Sequence, residues 1–199
     1  MAQNRTERKK DETRQKIVTV ALGLFKEHGF DAVTMEQIAA EADFAKGTLY
    51  NYFPVKEAIL DEYIRQSFSQ QAGERIARIR ALKDTPQRMS AILTELIEGI
   101  RRQPELFEKY FSYRIRQMIT LKQDESQASG FSSLECEIIR LGQENGEIRR
   151  DLPASLLLAL FEFAFIEVAQ LYYSNPAAFD AGTAVAQCVD LFMNGAQKR

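Results

Sequence analysis

The chain has 199 residues, of which 45% are hydrophobic and 27% are charged, and its formal net charge is −2. This balance is typical of a folded globular protein, so disorder is excluded as the main state. With a single histidine, His28, a histidine-rich metal site is also excluded. Cys136 and Cys188 are far apart and form no CxxC spacing, which argues against a cysteine zinc site or a disulfide scaffold. We therefore expect neither a metal nor another cofactor.

The N-terminal residues contain no apolar stretch, so we expect no secretory signal peptide. The most apolar segment runs from Leu152 to Tyr173, and Glu162 and Glu167 interrupt it. Its uncharged run before Glu162 is far shorter than the ~20 residues that a membrane-spanning helix needs. We interpret the segment as a buried helix and expect a cytoplasmic protein that does not contact a membrane.

The N-terminal residues predict three helices in succession. Apolar residues from Ile17 to Phe25 recur at helical spacing, and His28-Gly29 ends this first helix, where glycine permits a left-handed turn and His28 caps the last carbonyls. Thr34 and Gln37 have the spacing of a capping box at the start of a second helix. A third helix covers about 45–53. Residues 1–16 hold six basic and three acidic side chains, and we interpret them as a basic arm.

The rest of the chain also has helical periodicity, with no segment of strand period. A long helix is predicted from about 55 to 81, and a polar loop covers 123–130. The other predicted helices cover 86–102, 104–122, 131–145, 153–174 and 178–195. The fold class is therefore all-α. We place an N-terminal DNA-binding domain at 1–56 and a C-terminal ligand-binding and dimerisation domain at 57–199.

The second and third helices, joined by a short turn, have the arrangement of a helix-turn-helix motif. The third helix directs Leu49 and Phe53 inward by its period. Its opposite side then presents donors suited to phosphates and base edges, together with a glycine that permits close approach: Lys46, Gly47, Thr48, Tyr50 and Asn51. Thr34 and Lys56 lie near helix starts and are candidates for phosphate contacts. The alternative is that the aromatic residues contact a protein and the lysines are solvated.

At these residues the sequence resembles the TetR/AcrR family of transcriptional regulators. The resemblance runs from Ile17 to Leu60. It comprises Ala21-x-x-Leu24-Phe25, Gly29-Phe30, Thr34-x-x-x-Ile38-Ala39, Lys46-Gly47-Thr48-Leu49-Tyr50 and Tyr52-Phe53-x-x-Lys56-Glu57-x-Leu60. The resemblance implies DNA binding, to which Tyr52 would also contribute. It further implies a C-terminal helical bundle that binds a small molecule and a homodimer formed by the last two helices.

The sequence departs from the family pattern at the turn of the motif. The family turn often reads Ala-Gly-Val-Ser, whereas this chain has Ala42-Asp43-Phe44-Ala45. Ala45 lacks the hydroxyl that would cap the third helix, a loss of about 1 kcal/mol in typical proteins. Asp43 adds a negative charge close to where DNA would bind. We expect both changes to alter DNA affinity and sequence preference without abolishing binding.

The two C-terminal helices are more apolar than a single-chain bundle requires. The predicted helix 153–174 is apolar around most of its circumference, and helix 178–195 is also largely apolar. Two such helices from each of two subunits would form a symmetric four-helix interface. A thick core within one chain is the alternative.

An effector pocket is predicted around an arginine on an apolar helix face. Arg114 shares its face with Phe107, Phe111 and Met118, and a buried arginine needs an anionic partner such as Glu162. A purely structural pair or an arginine that extends to water is the alternative reading. The candidate effector-binding residues are Tyr63, Phe107, Phe111, Arg114, Met118, Glu162 and Phe165. An unpaired Arg114 would favour an anionic, lipid-like effector, which is our first expectation; an unpaired Glu162 would favour a lipophilic cation.

The sequence thus predicts a ligand-responsive regulator, with repression of a palindromic operator and release by a small hydrophobic effector as the leading reading. The long helix from Pro54 is the expected lever between effector and DNA. The alternatives are a regulator without an effector and a helical protein-interaction module. An enzyme is not expected, because the chain has no P-loop, glycine-rich dinucleotide loop, serine elbow or metal cluster.

Overall fold

The computed structural model describes residues 2–119 and 131–196, and within these ranges all regular structure is helical. The prediction of an all-α fold is therefore confirmed. The helices of the described residues are α1 Ala2–His28, α2 Met35–Glu41, α3 Lys46–Tyr52, α4 Lys56–Gln70, α5 Ala72–Ala81, α6 Thr85–Arg102, α7 Pro104–Ile119, α8 Ser132–Glu144, α9 Ala154–Ser174 and α10 Ala181–Ala196. The predicted loop 123–130 and the predicted end of helix 104–122 lie outside the described residues.

The chain divides into two compact units, residues 1–66 and 67–199. The division falls inside α4, whereas the sequence analysis places the domain boundary at the start of this helix. The helix therefore begins in one unit and ends in the other.

The predicted basic arm is the first part of α1 and not a separate segment, because this helix already begins at Ala2. Its exposed turns are polar, and Arg8 and Glu12 form an i, i+4 ion pair at 3.3 Å. From Ile17 onward one side of the helix is buried, through Ile17, Val18, Ala21 and Phe25. It ends as predicted: Gly29 has φ 82°, and its N–H donates to the carbonyl of Phe25 at 2.9 Å.

The single helix predicted from 55 to 81 is two helices, because Gln71 leaves the helical conformation with φ −108° and ψ 13°. Arg75 compensates for this break. Its guanidinium donates to the carbonyls of Ser67 at 3.2 Å and Phe68 at 3.3 Å, which would otherwise lack partners at the end of α4. Gly73 follows the break by two positions, but a single glycine is tolerated within a helix, so helical periodicity alone did not locate the break.

The segment around Glu147 anchors the start of α6 in the C-terminal unit. Glu147 accepts from the N–H of Thr85 at 2.5 Å and lies 3.7 Å from the buried guanidinium of Arg88. Arg88 in turn donates to the carbonyls of Ile79 and Leu82 at the end of α5. A Cβ at Gly142 would lie 2.6 Å from the Thr85 hydroxyl, so this close approach requires glycine.

Candidate DNA interface and effector region

The second helix of the motif is fixed at its start by the predicted capping box. The N–H of Gln37 donates to the Thr34 hydroxyl at 3.2 Å, and the Thr34 N–H donates to the Gln37 side chain at 2.7 Å. Two otherwise unsatisfied N–H groups are thereby paired, which confirms the capping box. Thr34 itself is exposed, but its hydroxyl already takes part in this cap.

The turn between α2 and α3 has the hydrogen bonds of a Schellman motif. Asp43 has φ 61°, and its N–H donates to the carbonyl of Ala40 at 3.1 Å. The N–H of Phe44 donates to the carbonyl of Ala39 at 2.9 Å. Asp43 therefore holds the left-handed position at which the family pattern often has glycine. Ala45 then begins α3 without a side-chain cap, as the sequence analysis expects.

Helix α3 buries Leu49 and presents a polar surface on the opposite side. Phe53, which follows the helix, is also buried. Of the predicted DNA contacts, Lys46, Gly47, Tyr50 and Asn51 are exposed, while Thr48 and Tyr52 are half-buried. An added Cβ at Gly47 would meet nothing within 4 Å. Nothing described in the free chain therefore requires glycine at this position.

Glu36, which the sequence analysis did not select, connects the two helices of the motif. Its carboxylate forms an ion pair with the ammonium of Lys46 and is hydrogen-bonded by the hydroxyl of Tyr50. The hydrogen bond from Lys46 lowers the pKa of Glu36 and raises the pKa of Lys46. The helical period places Glu36 on the outward side of α2, but the pairing with Lys46 depends on how the two helices pack.

Lys56 does not occupy the position of a free phosphate contact. Its ammonium donates to the carbonyls of Phe30 at 2.7 Å and Val33 at 2.5 Å, with Asp31 at 3.4 Å. It also lies 4.7 Å from the centroid of the Phe30 ring. An ammonium has three protons, and the three carbonyls of the α1–α2 turn account for them. In the free chain Lys56 therefore clamps that turn, and its contact with a DNA phosphate stays a prediction.

The predicted effector residues come together only in part. Phe111, Arg114, Glu162 and Phe165 line one site in the C-terminal unit, and Arg114 donates to Glu162 at 2.5 Å. The cavity that they line has a volume of about 10 Å³, which is barely enough for one water molecule. The site is closed in this conformation.

The other three predicted effector residues are not described at this site. The Phe107 ring lies against Gly99, where an added Cβ would be 2.9 Å from it, and lines a separate groove of about 900 Å³. Tyr63 belongs to the N-terminal unit. Met118 lies in α7, but its side chain is outside the described part of the chain.

Glu135 is a buried acid at this site that the sequence analysis missed. It lines the same cavity from α8 and is 3% exposed. The pKa of Glu135 is raised to about 8, chiefly by burial and also by the negative charge of Glu162, while the positive charge of Arg114 opposes both. Helical spacing could have found it, because Ile138 and Ile139 follow at i+3 and i+4 and are buried. Arg114 and Glu162 pair with each other. Neither is therefore the unpaired charge that would favour an anionic effector or a lipophilic cation.

Helices α9 and α10 leave large apolar side chains exposed. These are Leu156, Leu160, Phe163, Leu171 and Leu191. Leu191 is the most exposed of them, at 77%. An apolar groove of about 620 Å³ runs between the helices along Leu160, Phe163 and Leu191. By length and composition alone α9 would also suffice to cross a bilayer, and 33% of its apolar window is buried within the unit. Val189, by contrast, is buried in the subunit core.

A capped α2, a tight turn and an α3 with an exposed polar side define a helix-turn-helix protein, a class that binds DNA. Residues 17–63 match the family described as bacterial regulatory proteins, tetR family. Over these residues the chain is similar to the TetR family of transcriptional regulators, which are DNA-binding transcription factors and not enzymes.

Individual relatives differ in how much of the chain they match. The transcriptional repressor KstR of Rhodococcus jostii is 34% identical over 103 residues, which cover 49% of this chain and 45% of KstR. KstR2 of the same organism is 23% identical over 194 residues, which cover 92% of this chain and 90% of KstR2. The chain thus spans about half the length of the curated relatives that it matches at 33–34% identity, which are KstR proteins.

Among solved structures, the chain is similar to the repressor FadR of Thermus thermophilus in complex with lauroyl-CoA. The TM-score is 0.71 and the sequence identity is 25%, with 94% of this chain and 96% of that chain covered. The similarity therefore extends over both units, each taken separately, and is not confined to the helix-turn-helix.

Proposed function

We propose that this protein is a ligand-responsive repressor that binds a palindromic operator as a homodimer. The observation that carries the proposal is the outer side of α3, where Lys46, Gly47, Tyr50 and Asn51 are exposed on a helix anchored by buried Leu49. A side chain that reaches a base edge contributes about 1–3 kcal/mol of discrimination between bases. The proposed DNA contacts are Thr34, Lys46, Gly47, Thr48, Tyr50, Asn51 and Tyr52, with Lys56 supporting them indirectly.

A band-shift experiment with the DNA upstream of the protein's own gene tests this proposal. Lys46→Ala and Tyr50→Ala should each weaken operator binding about tenfold or more and relax base preference. Lys26→Ala, which removes an exposed charge from the end of α1, serves as the control and should have little effect. If both α3 variants bound like the wild type, this surface would not read DNA. If the wild type bound no DNA even at low salt, the protein-interaction module would be favoured.

We propose that the exposed apolar side chains of α9 and α10 form the homodimer interface. Apolar patches of this kind are rare on monomeric proteins and mark contact surfaces. Two copies of the pair of helices would cover each other in a symmetric four-helix arrangement. The same burial accounts for the apolar character of α9 without a membrane, in agreement with the proposed cytoplasmic location.

We propose the closed site around Arg114 as the effector-binding region, with a small hydrophobic effector. Aromatic rings surround the charged pair there, and both Phe111 and Phe165 contribute. With Glu135 protonated at neutral pH, one guanidinium and one carboxylate balance, so a neutral apolar chain suits the site. An acyl thioester is the first class to test, because the similar Thermus thermophilus FadR is in complex with lauroyl-CoA.

A lipophilic cation is the second candidate, because ionisation of Glu135 would leave the site with two carboxylates and only one guanidinium. Thermal-shift measurements with lauroyl-CoA and with dodecyltrimethylammonium, which has a tail of the same length, distinguish the two. We expect lauroyl-CoA to raise the melting temperature and release the operator, as a ligand must when it prefers the non-binding conformation. Stabilisation by the ammonium compound alone would reverse this assignment.

A further inference from the structure

The ion pair between Glu36 and Lys46 places a negative charge among the residues proposed to read DNA. Glu36 is on α2, and Lys46 and Tyr50 are on α3, so the carboxylate bridges the two helices of the motif. The Lys46 ammonium also lies 5.8 Å from the centroid of the Tyr50 ring. All three side chains are exposed. The contact is therefore free to exchange for another partner.

We propose that Glu36 is a specificity-determining residue of the DNA interface, which holds Lys46 and Tyr50 in place and suppresses their attraction to DNA of unrelated sequence. This inference rests on the proposed role of α3 in reading DNA. It assigns to Glu36 a function in discrimination and not in affinity.

The physical reason lies in the difference between the two kinds of DNA binding. Binding to unrelated DNA depends almost wholly on the neutralisation of phosphates by lysine and arginine. A lysine whose charge is already balanced by a carboxylate releases few counterions, and the carboxylate itself repels nearby phosphates. On the operator, base-edge acceptors at the correct positions can replace Glu36 as partners of Lys46 and Tyr50. On unrelated DNA those acceptors are absent, and the ion pair with Glu36 persists.

The test compares Glu36→Gln with Glu41→Gln, a control that removes the same charge from the other end of α2. Glu41 is exposed and ends the helix. Affinity is measured against an operator duplex selected from a random library and against a duplex of scrambled sequence, each at 50 and 200 mM salt. Releasing one lysine to a phosphate steepens the salt slope by about 0.9, so the loss of affinity between these salt concentrations should grow about 3.5-fold on scrambled DNA. The ratio of operator to scrambled affinity should fall by a similar factor.

Two outcomes overturn the inference. If Glu36→Gln and Glu41→Gln have equal salt slopes, the effect is a general one of net charge. If Glu36→Gln weakens binding to both duplexes, the carboxylate only supports the fold of the motif. Lys46→Ala distinguishes these failures from failure of the proposed function. If α3 reads DNA, Lys46→Ala must weaken operator binding. When Glu36→Gln is added to Lys46→Ala, the salt slope of DNA binding should change no more than it does in Glu41→Gln, because Lys46 is no longer present.

Discussion

At the scale of single residues, Asp43 combines an unfavourable backbone conformation with an unfavourable charge. It is the non-glycine residue with positive φ in the described part of the chain. The left-handed conformation costs an ordinary residue about 1–2 kcal/mol, and less for aspartate. We expect Asp43→Gly to raise the free energy of unfolding by about 0.5–1 kcal/mol, measured by denaturant titration.

Asp43→Asn separates the two effects at this position. Asparagine tolerates the same backbone conformation but carries no charge. Asp43→Asn should leave the free energy of unfolding nearly unchanged. Because it removes a negative charge, it should strengthen DNA binding at low salt. If Asp43→Gly lowered stability, the left-handed turn would not be a source of strain.

Gly47 is expected to show opposite effects on stability and DNA binding. Since an added Cβ meets nothing within 4 Å in the free chain, Gly47→Ala should stabilise the fold by about 0.5–1 kcal/mol. The same methyl group would occupy the space into which DNA approaches, so operator affinity should fall. Gly73→Ala is the matched control, because its Cβ also enters open space, in α5 of the other unit. It should stabilise without any loss of DNA binding.

Glu135 predicts a pH dependence of stability. Its pKa is about 8 in the folded protein and about 4.3 in an unfolded chain. Between pH 4.3 and pH 8 the folded state holds a proton that the unfolded state has lost. The contribution of Glu135 to stability is therefore greatest below pH 4.3 and falls as the pH rises to 8. Glu135→Gln removes this dependence.

The measurement is thermal or denaturant unfolding of wild type and Glu135→Gln from pH 6 to pH 9. At pH 9 the variant should be more stable by at least about 1.4 kcal/mol, the free energy of one pKa unit, and the difference should shrink as the pH falls. Glu98→Gln, on an exposed part of α6, should show no such trend. A constant difference at all pH values would mean that Glu135 does not titrate in this range.

At the scale of secondary-structure elements, Lys56 ties the start of α4 to the α1–α2 turn. Lys56→Met keeps the aliphatic stem and removes the hydrogen bonds to the carbonyls of Phe30 and Val33. Hydrogen bonds that involve a charged group contribute about 1.5–3 kcal/mol, and we expect a loss of stability in that range. Unfolding by denaturant measures it, with Lys26→Met as the exposed control.

The salt dependence of operator binding then decides between the two roles of Lys56. A phosphate contact would leave stability intact and flatten the salt slope by about 0.9. A clamp would lower stability, and the salt slope of the protein that remains folded would not change. The second result is the one expected from the observed contacts.

The connecting helix is shorter than its sequence indicates. The predicted lever from Pro54 to Ala81 reduces to α4, because Gln71 interrupts the helix. A helix that ends at Gln70 would transmit a displacement only over its own length, and the contact of Arg75 with the carbonyls of Ser67 and Phe68 joins its last turn to α5. Gly73, two residues beyond Gln71, weakens the helix locally at this break.

At the scale of the whole molecule, the α9–α10 surface predicts the oligomeric state. Leu160 is 47% exposed, so Leu160→Glu leaves the subunit core intact but places a charge in the proposed interface. We expect a folded monomer by sedimentation, with normal helical content and loss of tight operator binding. A wild-type protein that stayed monomeric at micromolar concentration would contradict the proposed dimer.

Val189→Glu provides the contrast, because Val189 is 6% exposed and packs inside the subunit. A charge there should destabilise the fold itself by several kcal/mol and yield aggregated or unfolded protein. The sequence analysis could not distinguish these two positions, since both lie on apolar stretches of apolar helices. Which side of each helix faces its own subunit depends on the packing of the bundle.

Much of this protein could be predicted from the sequence because the signals are local. The capping box of Thr34 and Gln37, the left-handed glycine at 29 and the period of Leu49 and Phe53 involve residues at most four or five positions apart, and hydrogen bonds along a single helix determine them. The all-α fold and the helix-turn-helix follow from such patterns.

Tertiary structure decided most of the contacts between charged groups, although the sequence already indicated Glu162 as a partner for a buried Arg114. Lys56 finds its carbonyl partners 23 and 26 positions earlier in the chain, and Arg114 finds Glu162 48 positions later. The contacts of Glu36 with Lys46 and of Glu135 with the Arg114 site likewise depend on the rotation and crossing angle of packed helices. Those angles are set by side-chain packing over the whole unit, which a periodic pattern in the sequence does not encode.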